Sequence, residues 1–199
     1  MQLGFFLVVS GVLSALKHDL DREKERALKD PLTDLPNRRA FDETARAEIR
    51  RSARYGRELS LAFLDLDDFK IMNDQMGHHE GDRLLVRVAD AIRRGVRAGD
   101  IVARVGGDEF LLFFPETGSS EVNVLLTRIR SELDLLLSLE DRRVTASIGA
   151  VTFVKPEGSV DAMVKMADQL MYVAKKNGKN RVEHRIVRGA HDDTRSANA

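Results

Sequence analysis

Apolar and polar positions alternate along this chain in blocks that change period several times. Residues 37–54 are arginine-rich, with Phe41, Ala45 and Ile49 on one face, which is helical spacing. "LSLAFLDL" (59–66) is continuously apolar until Asp65, the pattern of a buried strand. "DFKIMNDQ" (68–75) reads as a short helix and "GHHEG" (77–81) as a loop. Residues 82–98 place Leu84, Leu85, Val88, Ala91 and Ile92 inward on a long helix, with Gly99 as its C-cap. Residues 101–105 and 110–114 read as two strands of a hairpin turning through Gly106–Glu109. A helix over about 120–138, a strand over 143–153, an amphipathic helix over 159–177 and a short strand over 180–186 complete the order. Helices between most strands, with one hairpin in mid-chain, predict a mixed sheet covered by helices.

The ends are different. "LGFFLVVSGVLSAL" (3–16) carries no charge and stops at Lys17, short of the roughly 20 apolar residues a helical span needs. It has no basic region before it and no clear cleavage site after it, which argues against a removable signal peptide. Three readings stay open: a short membrane anchor, the tail of a longer span, or a helix that pairs with another copy. Lys17, Arg22, Lys24 and Arg26 follow, so membrane insertion would leave the remaining chain in the cytoplasm, held at the inner membrane. Residues 17–30 form a charged helical linker, with Leu13, Leu16, Leu20 and Ala27 near heptad spacing. Pro31 ends it, and the polar tail over 188–199 is expected to be disordered. The expected division is 1–29 for the apolar segment and linker, 30–187 for one domain, and 188–199 for the tail.

The 199 residues suffice for one domain with a real core. A zero net charge argues against a broad grip on nucleic acid, yet leaves room for a small phosphorylated ligand at a local basic site. Without cysteine there is no disulfide, thiolate chemistry or cysteine-based zinc site.

The chemistry concentrates in "ARVGGDEFLLFF" (103–114). Asp108 and Glu109 are adjacent carboxylates beside an apolar strand, and like charges there repel and lose hydration unless a cation joins them. Leu61, Phe63 and Asp65 share one face of the 59–66 strand, which puts Asp65 at the end of an apolar face. Asp65 with Asp108 or Glu109 would suit a hard divalent cation, provided this strand lies beside the hairpin. Asp67 and Asp68 are candidate caps of the next helix. Taken alone, Asp82 reads as a helix N-cap, Asn73 as a surface residue, and "RAGD" (97–100) as a helix end.

"RVGGDEF" (104–110) resembles the signature of GGDEF-domain diguanylate cyclases. "DPLTDLPNRRAF" (30–41), "DLDDFKIMNDQMGHHEGD" (65–82) and "YVAKKNGKNRV" (172–182) resemble that family's other segments, in the same order. The resemblance implies an α+β fold: a palm-like, mostly antiparallel sheet flanked by helices, as in nucleotidyl cyclases and polymerases, here with an N-terminal helical extension. It implies condensation of two GTP into cyclic di-GMP and pyrophosphate by a homodimer with the cleft between subunits. Two Mg2+ per site, or Mn2+ in their place, would be held by Asp65, Asp108 and the Leu66 carbonyl.

By the same resemblance Glu109 is a metal-site or general-base candidate. Arg104 either stabilises charge on the reacting phosphate or is a structural strand arginine. Asn73 and Asp82 match guanine-reading positions. Phe69, Lys70, Lys175 and Lys179 match phosphate contacts, and Arg97 with Asp100 matches an inhibitory site for the product. His78 is structural in this register. Two departures stand out: Lys179 where arginine is usual, which loses the bidentate fork, and Asp34 where glycine is usual, which strains a backbone with φ > 0. The alternative reading is a catalytically idle sensor that binds cyclic di-GMP through Arg97 and Asp100.

Overall fold

The computed structural model describes residues 17, 27–139 and 144–189. The apolar segment 3–16, most of the linker and the tail beyond 189 lie outside them. No helix among the described residues is long and apolar enough to cross a membrane.

The elements are α1 (Arg38–Tyr55), β1 (Leu59–Asp67), α2 (Phe69–Met76), α3 (His78–Gly95), β2 (Ile101–Arg104), β3 (Glu109–Phe114), α4 (Ser119–Leu139), β4 (Thr145–Phe153), α5 (Val160–Lys176) and β5 (Val182–Val187). The order of helices and strands is the one the apolar pattern predicts. The five strands form one sheet in the order β2-β3-β1-β4-β5. Every pairing is antiparallel except β4 with β5. The fold is therefore the expected mixed, mostly antiparallel sheet flanked by helices.

Both faces of the sheet are covered, which explains the unbroken apolar runs. One face carries Leu61, Phe63, Leu111, Phe113 and Val151 against α1 and α5. Phe41 of α1 meets Phe113 edge-on, with ring centroids 6.3 Å apart. The other face carries Ala62, Leu64, Leu66, Phe110, Leu112 and Ile148 against α2, α3 and α4. β1 is central and buried along its whole length. Its alternation thus sends Asp65 to the α5 side and Leu66 to the α3 side.

Two boundaries differ from the sequence reading. "GHHEG" is not a loop: the bend is Gly77 alone, at φ 88, and α3 starts at His78. Asp82 consequently lies inside the helix rather than at its cap. At the other end α3 stops at Gly95, and Gly99 caps nothing. The Gly95 carbonyl at the end of the helix instead accepts from Arg128 of α4, whose Nε and Nη2 donate to it at 2.9 and 2.6 Å. A tertiary cap of this kind leaves no trace in the local sequence.

Candidate active site

The site is built at the end of β1. Asp65 pairs across the sheet with Glu109, the first residue of β3. The turn before it is closed by the Val105 N–H to the Glu109 carbonyl, 3.0 Å. It is also tied to β1, because the Leu66 N–H donates to the Asp108 carbonyl at 3.3 Å. The signature turn therefore abuts the strand that carries Asp65. Glu109 folds its carboxylate back over Gly106, where a Cβ would stand within contact distance of it.

Asp65 is 7% exposed. Burial, followed by the charges of Asp108 and Glu109, pushes its carboxyl up to about 6 against the opposing pull of Lys175. Lys175 comes from α5, and its Nζ lies 2.5 Å from Asp65 Oδ1. That is a charge contact without hydrogen-bond angles, and Oδ1 receives no well-angled donor from the described residues. Glu109 is also raised, by burial first, then by Asp108 and Asp168. Carboxylates so placed are short of positive charge, with one lysine as partial compensation. This donor set fits hard divalent cations. No group of three His, Cys, Asp or Glu among the described residues could hold a metal, so side-chain acids alone do not complete a cation site.

Asp67 caps no helix, and Asp68 stands at the N-cap position of α2 without a side-chain cap bond. Asp67 is buried and accepts from Thr145 Oγ1 (2.6 Å), Ser147 Oγ (2.7 Å) and the Asn180 N–H (3.1 Å). It pins the segment after α5 to the end of β1. Asp68 sits at φ 59 and makes no side-chain cap; it pairs instead with Lys179 Nζ at 2.7 Å. That hydrogen bond holds the Lys179 ammonium above its ordinary value. The first turn of α2, with Phe69 and Lys70, thus starts without a side-chain acceptor of its own, as an anion site requires.

Asn73 lies on α2 against Gly81 of α3, and Asp82 is the next residue. Arg97 and Asp100 form a turn, in which the Arg97 N–H donates to Asp100 Oδ2 (2.7 Å) and the Asp100 N–H to the Arg97 carbonyl (3.0 Å). The Arg97 side chain is exposed. Burial raises the Asp100 carboxyl, while its bond to Arg97 and the Arg97 and Arg128 charges pull it back.

Arg104 was left with two roles by the sequence, and the structure uses it to hold the turn. Its Nη1 donates to both Asp30 oxygens at 2.9 and 3.2 Å, and Nη2 to the Gly107 carbonyl at 2.8 Å. Its side chain is 12% exposed. Its fork is engaged on both sides within the fold. Asp34 does occupy the left-handed region, at φ 55, and pairs with Lys29 at 2.8 Å.

Sequence reasoning missed Asp30 as the partner of Arg104, Asp67 as the clasp of the closing segment, and Asp168 as a charge acting on Glu109. Asp30 and Asp67 lay within motifs already noticed, "DPLT" and "DLDDFK", and Asp168 did not.

Comparison with known proteins gives the family and the fold. Residues 27–181 match the family model described as diguanylate cyclase, GGDEF domain. The diguanylate cyclase DgcP of Pseudomonas aeruginosa is 38% identical over 172 residues, covering 85% of this chain and 26% of the relative. The diguanylate cyclase DosC of Escherichia coli K12 is 37% identical over 158 residues, 77% of this chain and 34% of the relative. The chain thus spans about a quarter to a third of the length of these curated relatives. The crystal structure of the coiled coil and GGDEF domain of DgcB from Caulobacter crescentus, in complex with c-di-GMP, superposes with a TM-score of 0.81 at 31% identity, covering 92% of this chain and 100% of that one.

Proposed function

The chain belongs to the GGDEF-domain diguanylate cyclase family, and we propose that it condenses two GTP molecules into cyclic di-GMP with release of two pyrophosphates. The observation that carries this reading is the convergence of Asp65 and the signature turn, with Lys175 against the buried Asp65 oxygen. The catalytic unit is assigned to residues 30–187, and the segment before it sets how often two such units meet.

Each domain would hold one GTP. Asn73 and Asp82 read the guanine edge, whose adjacent N1–H and N2–H donors suit a carboxylate and leave adenine without partners. The first turn of α2, with Phe69 and Lys70, receives phosphate oxygens at its free N–H groups. Lys175 and Lys179 contact the terminal phosphates. Both are held by acids, Asp65 and Asp68, so binding of the triphosphate exchanges an internal partner for a phosphate. Asp65, Asp108 and the Leu66 carbonyl would hold divalent cations, read as two Mg2+. When bound, such cations would supply activation of the 3′-hydroxyl and neutralisation of charge on the α-phosphate and pyrophosphate. Glu109, with its carboxyl raised by burial and neighbours, would receive the hydroxyl proton or complete the cation site. Forming both phosphodiester bonds symmetrically requires two antiparallel GTPs, hence a C2 homodimer.

Incubating the full chain with GTP and magnesium and separating the nucleotides tests the reading. Cyclic di-GMP and pyrophosphate are expected. Tight binding of cyclic di-GMP without turnover would replace the enzyme with an idle sensor.

Two variants refine it. Arg104→Lys keeps a charge for Asp30 but cannot also span to the Gly107 carbonyl, so the signature turn loses one anchor. Turnover should fall about tenfold at little change in GTP affinity, as misplacement of the acids would cause. Arg97→Ala with Asp100→Ala should raise the cyclic di-GMP concentration needed for half-inhibition on the order of tenfold or more, because an arginine fork on a guanine edge is lost. Unchanged inhibition would remove the product site from these residues.

A further inference from the structure

Asn73 projects from α2 across the elbow at Gly77, whose N–H donates to the Asn73 carbonyl at 2.8 Å. The Asn73 Oδ1 is buried and takes no hydrogen bond among the described residues. It rests directly on Gly81. A Cβ added at Gly81 would stand 2.8 Å from Asn73 Cγ and 3.2 Å from Nδ2, and closer still to Oδ1. Exchanging the two amide atoms leaves the collision in place. Gly81 is an unusual residue for its position: it lies inside the first turns of α3 at an ordinary helical conformation, where alanine would favour the helix more. The local backbone gives no reason for glycine, and the three nearest atoms that an alanine methyl would meet all belong to the movable end of one side chain.

We infer that Gly81 is a positioning residue for base recognition: its missing side chain opens the slot in which the Asn73 carboxamide is held, poised with an unpaired polar atom for a nucleobase edge. The inference rests on the reading of Asn73 as a guanine contact. A buried amide oxygen without a donor is costly unless a ligand completes it. Substituting Gly81 swings the carboxamide out of its slot and leaves the fold intact, so it acts on selectivity and not on stability.

The test uses the full chain as parent, Gly81→Ala, Asn73→Ala and the double variant. Binding of a non-hydrolysable GTP analogue and of its inosine counterpart is measured for each, with thermal unfolding in parallel. The Asn73 side-chain amide signals are followed by NMR and identified by their loss in Asn73→Ala. In Gly81→Ala the Asn73 signals should shift and the melting temperature should hold or rise. Affinity for the GTP analogue should fall on the order of tenfold. The guanine-over-inosine preference should fall to that of Asn73→Ala, and the double variant should be no worse than the weaker single. Unmoved Asn73 signals overturn the inference, as do losses that multiply in the double variant. A parent without guanine preference overturns it together with the guanine reading; a shifted amide signal would then show that the placement holds and the base contact is what failed.

Discussion

An Asp65→Asn variant is expected to lose cyclic di-GMP synthesis by roughly a thousandfold or more while becoming more stable in the absence of metal and nucleotide. Both effects follow from the same burial. Asp65 closes the apolar face of β1, and its carboxyl is raised to about 6 by burial, with Asp108 and Glu109 adding to it. A group whose folded value lies above its unfolded one stabilises the fold when protonated, at low pH, and that contribution disappears as pH rises through the folded value. At neutral pH the ionised Asp65 therefore weakens the native state. Asparagine has nearly the same shape and no charge. A gain of about 1 kcal/mol is expected, well below what the full shift would convert to, since Lys175 and cleft water offset part of it. The measurements are the product yield with GTP and magnesium, and thermal melts near pH 5 and pH 8. The variant's advantage should be larger at pH 8. A melt that falls at pH 8 would mean that Asp65 is a stabilising partner of Lys175 and that the site holds no reserve of unpaired charge.

That trade between stability and chemistry was visible in part from the chain alone. Two acids beside FLLFF, and a third at the end of LSLAFLDL, are hard to explain without cations. Alternation along β1 placed Asp65 with Leu61 and Phe63, and the structure puts that face against α5, the source of Lys175. The order of elements was equally legible, because β1 and β3 are buried on both faces and read as unbroken apolar runs.

The missing parts share one physical character: they are made by residues far apart in sequence. Asp68 has the identity of a cap, but its pairing with Lys179, from the turn after α5, and its left-handed backbone take it out of that role. Asp67 is claimed by β4 and by Asn180. Arg104 is claimed by Asp30, which itself bonds the Thr33 N–H and hydroxyl at 2.9 and 2.7 Å. Propensity gives no access to such choices, since each side chain satisfies the local rule until a distant partner offers more. The early start of α3 was hidden at shorter range. Gly81 looks like a loop residue by composition, and its reason for being glycine lies on another helix.

Gly149→Ala is expected to be the most damaging single methyl on the sheet. Gly149 is in β4, opposite Phe63 of β1, on the face covered by α5. A Cβ there would fall deep inside van der Waals contact with the Ala167 carbonyl oxygen and the Met171 backbone nitrogen, and 2.7 Å from the Leu170 carbonyl carbon. These are backbone atoms in the middle of α5, and no rotamer change can move them. The helix must lift or tilt, and it carries Met163, Ala167, Leu170 and Met171 in the core and Lys175 at the site. A shift that opens such a packed interface costs about 3 kcal/mol or more, which lowers the melting temperature by roughly 10 °C for a domain of this size. The same lift withdraws Lys175 from Asp65, so the molecules that remain folded at low temperature should also have lost GTP affinity and turnover. Enlarging the methyl's neighbours cannot rescue the variant, because backbone and not side chain is struck. A Gly149→Ala protein that melts with the parent would show that α5 stands off the sheet, and the placement of Lys175 against Asp65 would fall with it.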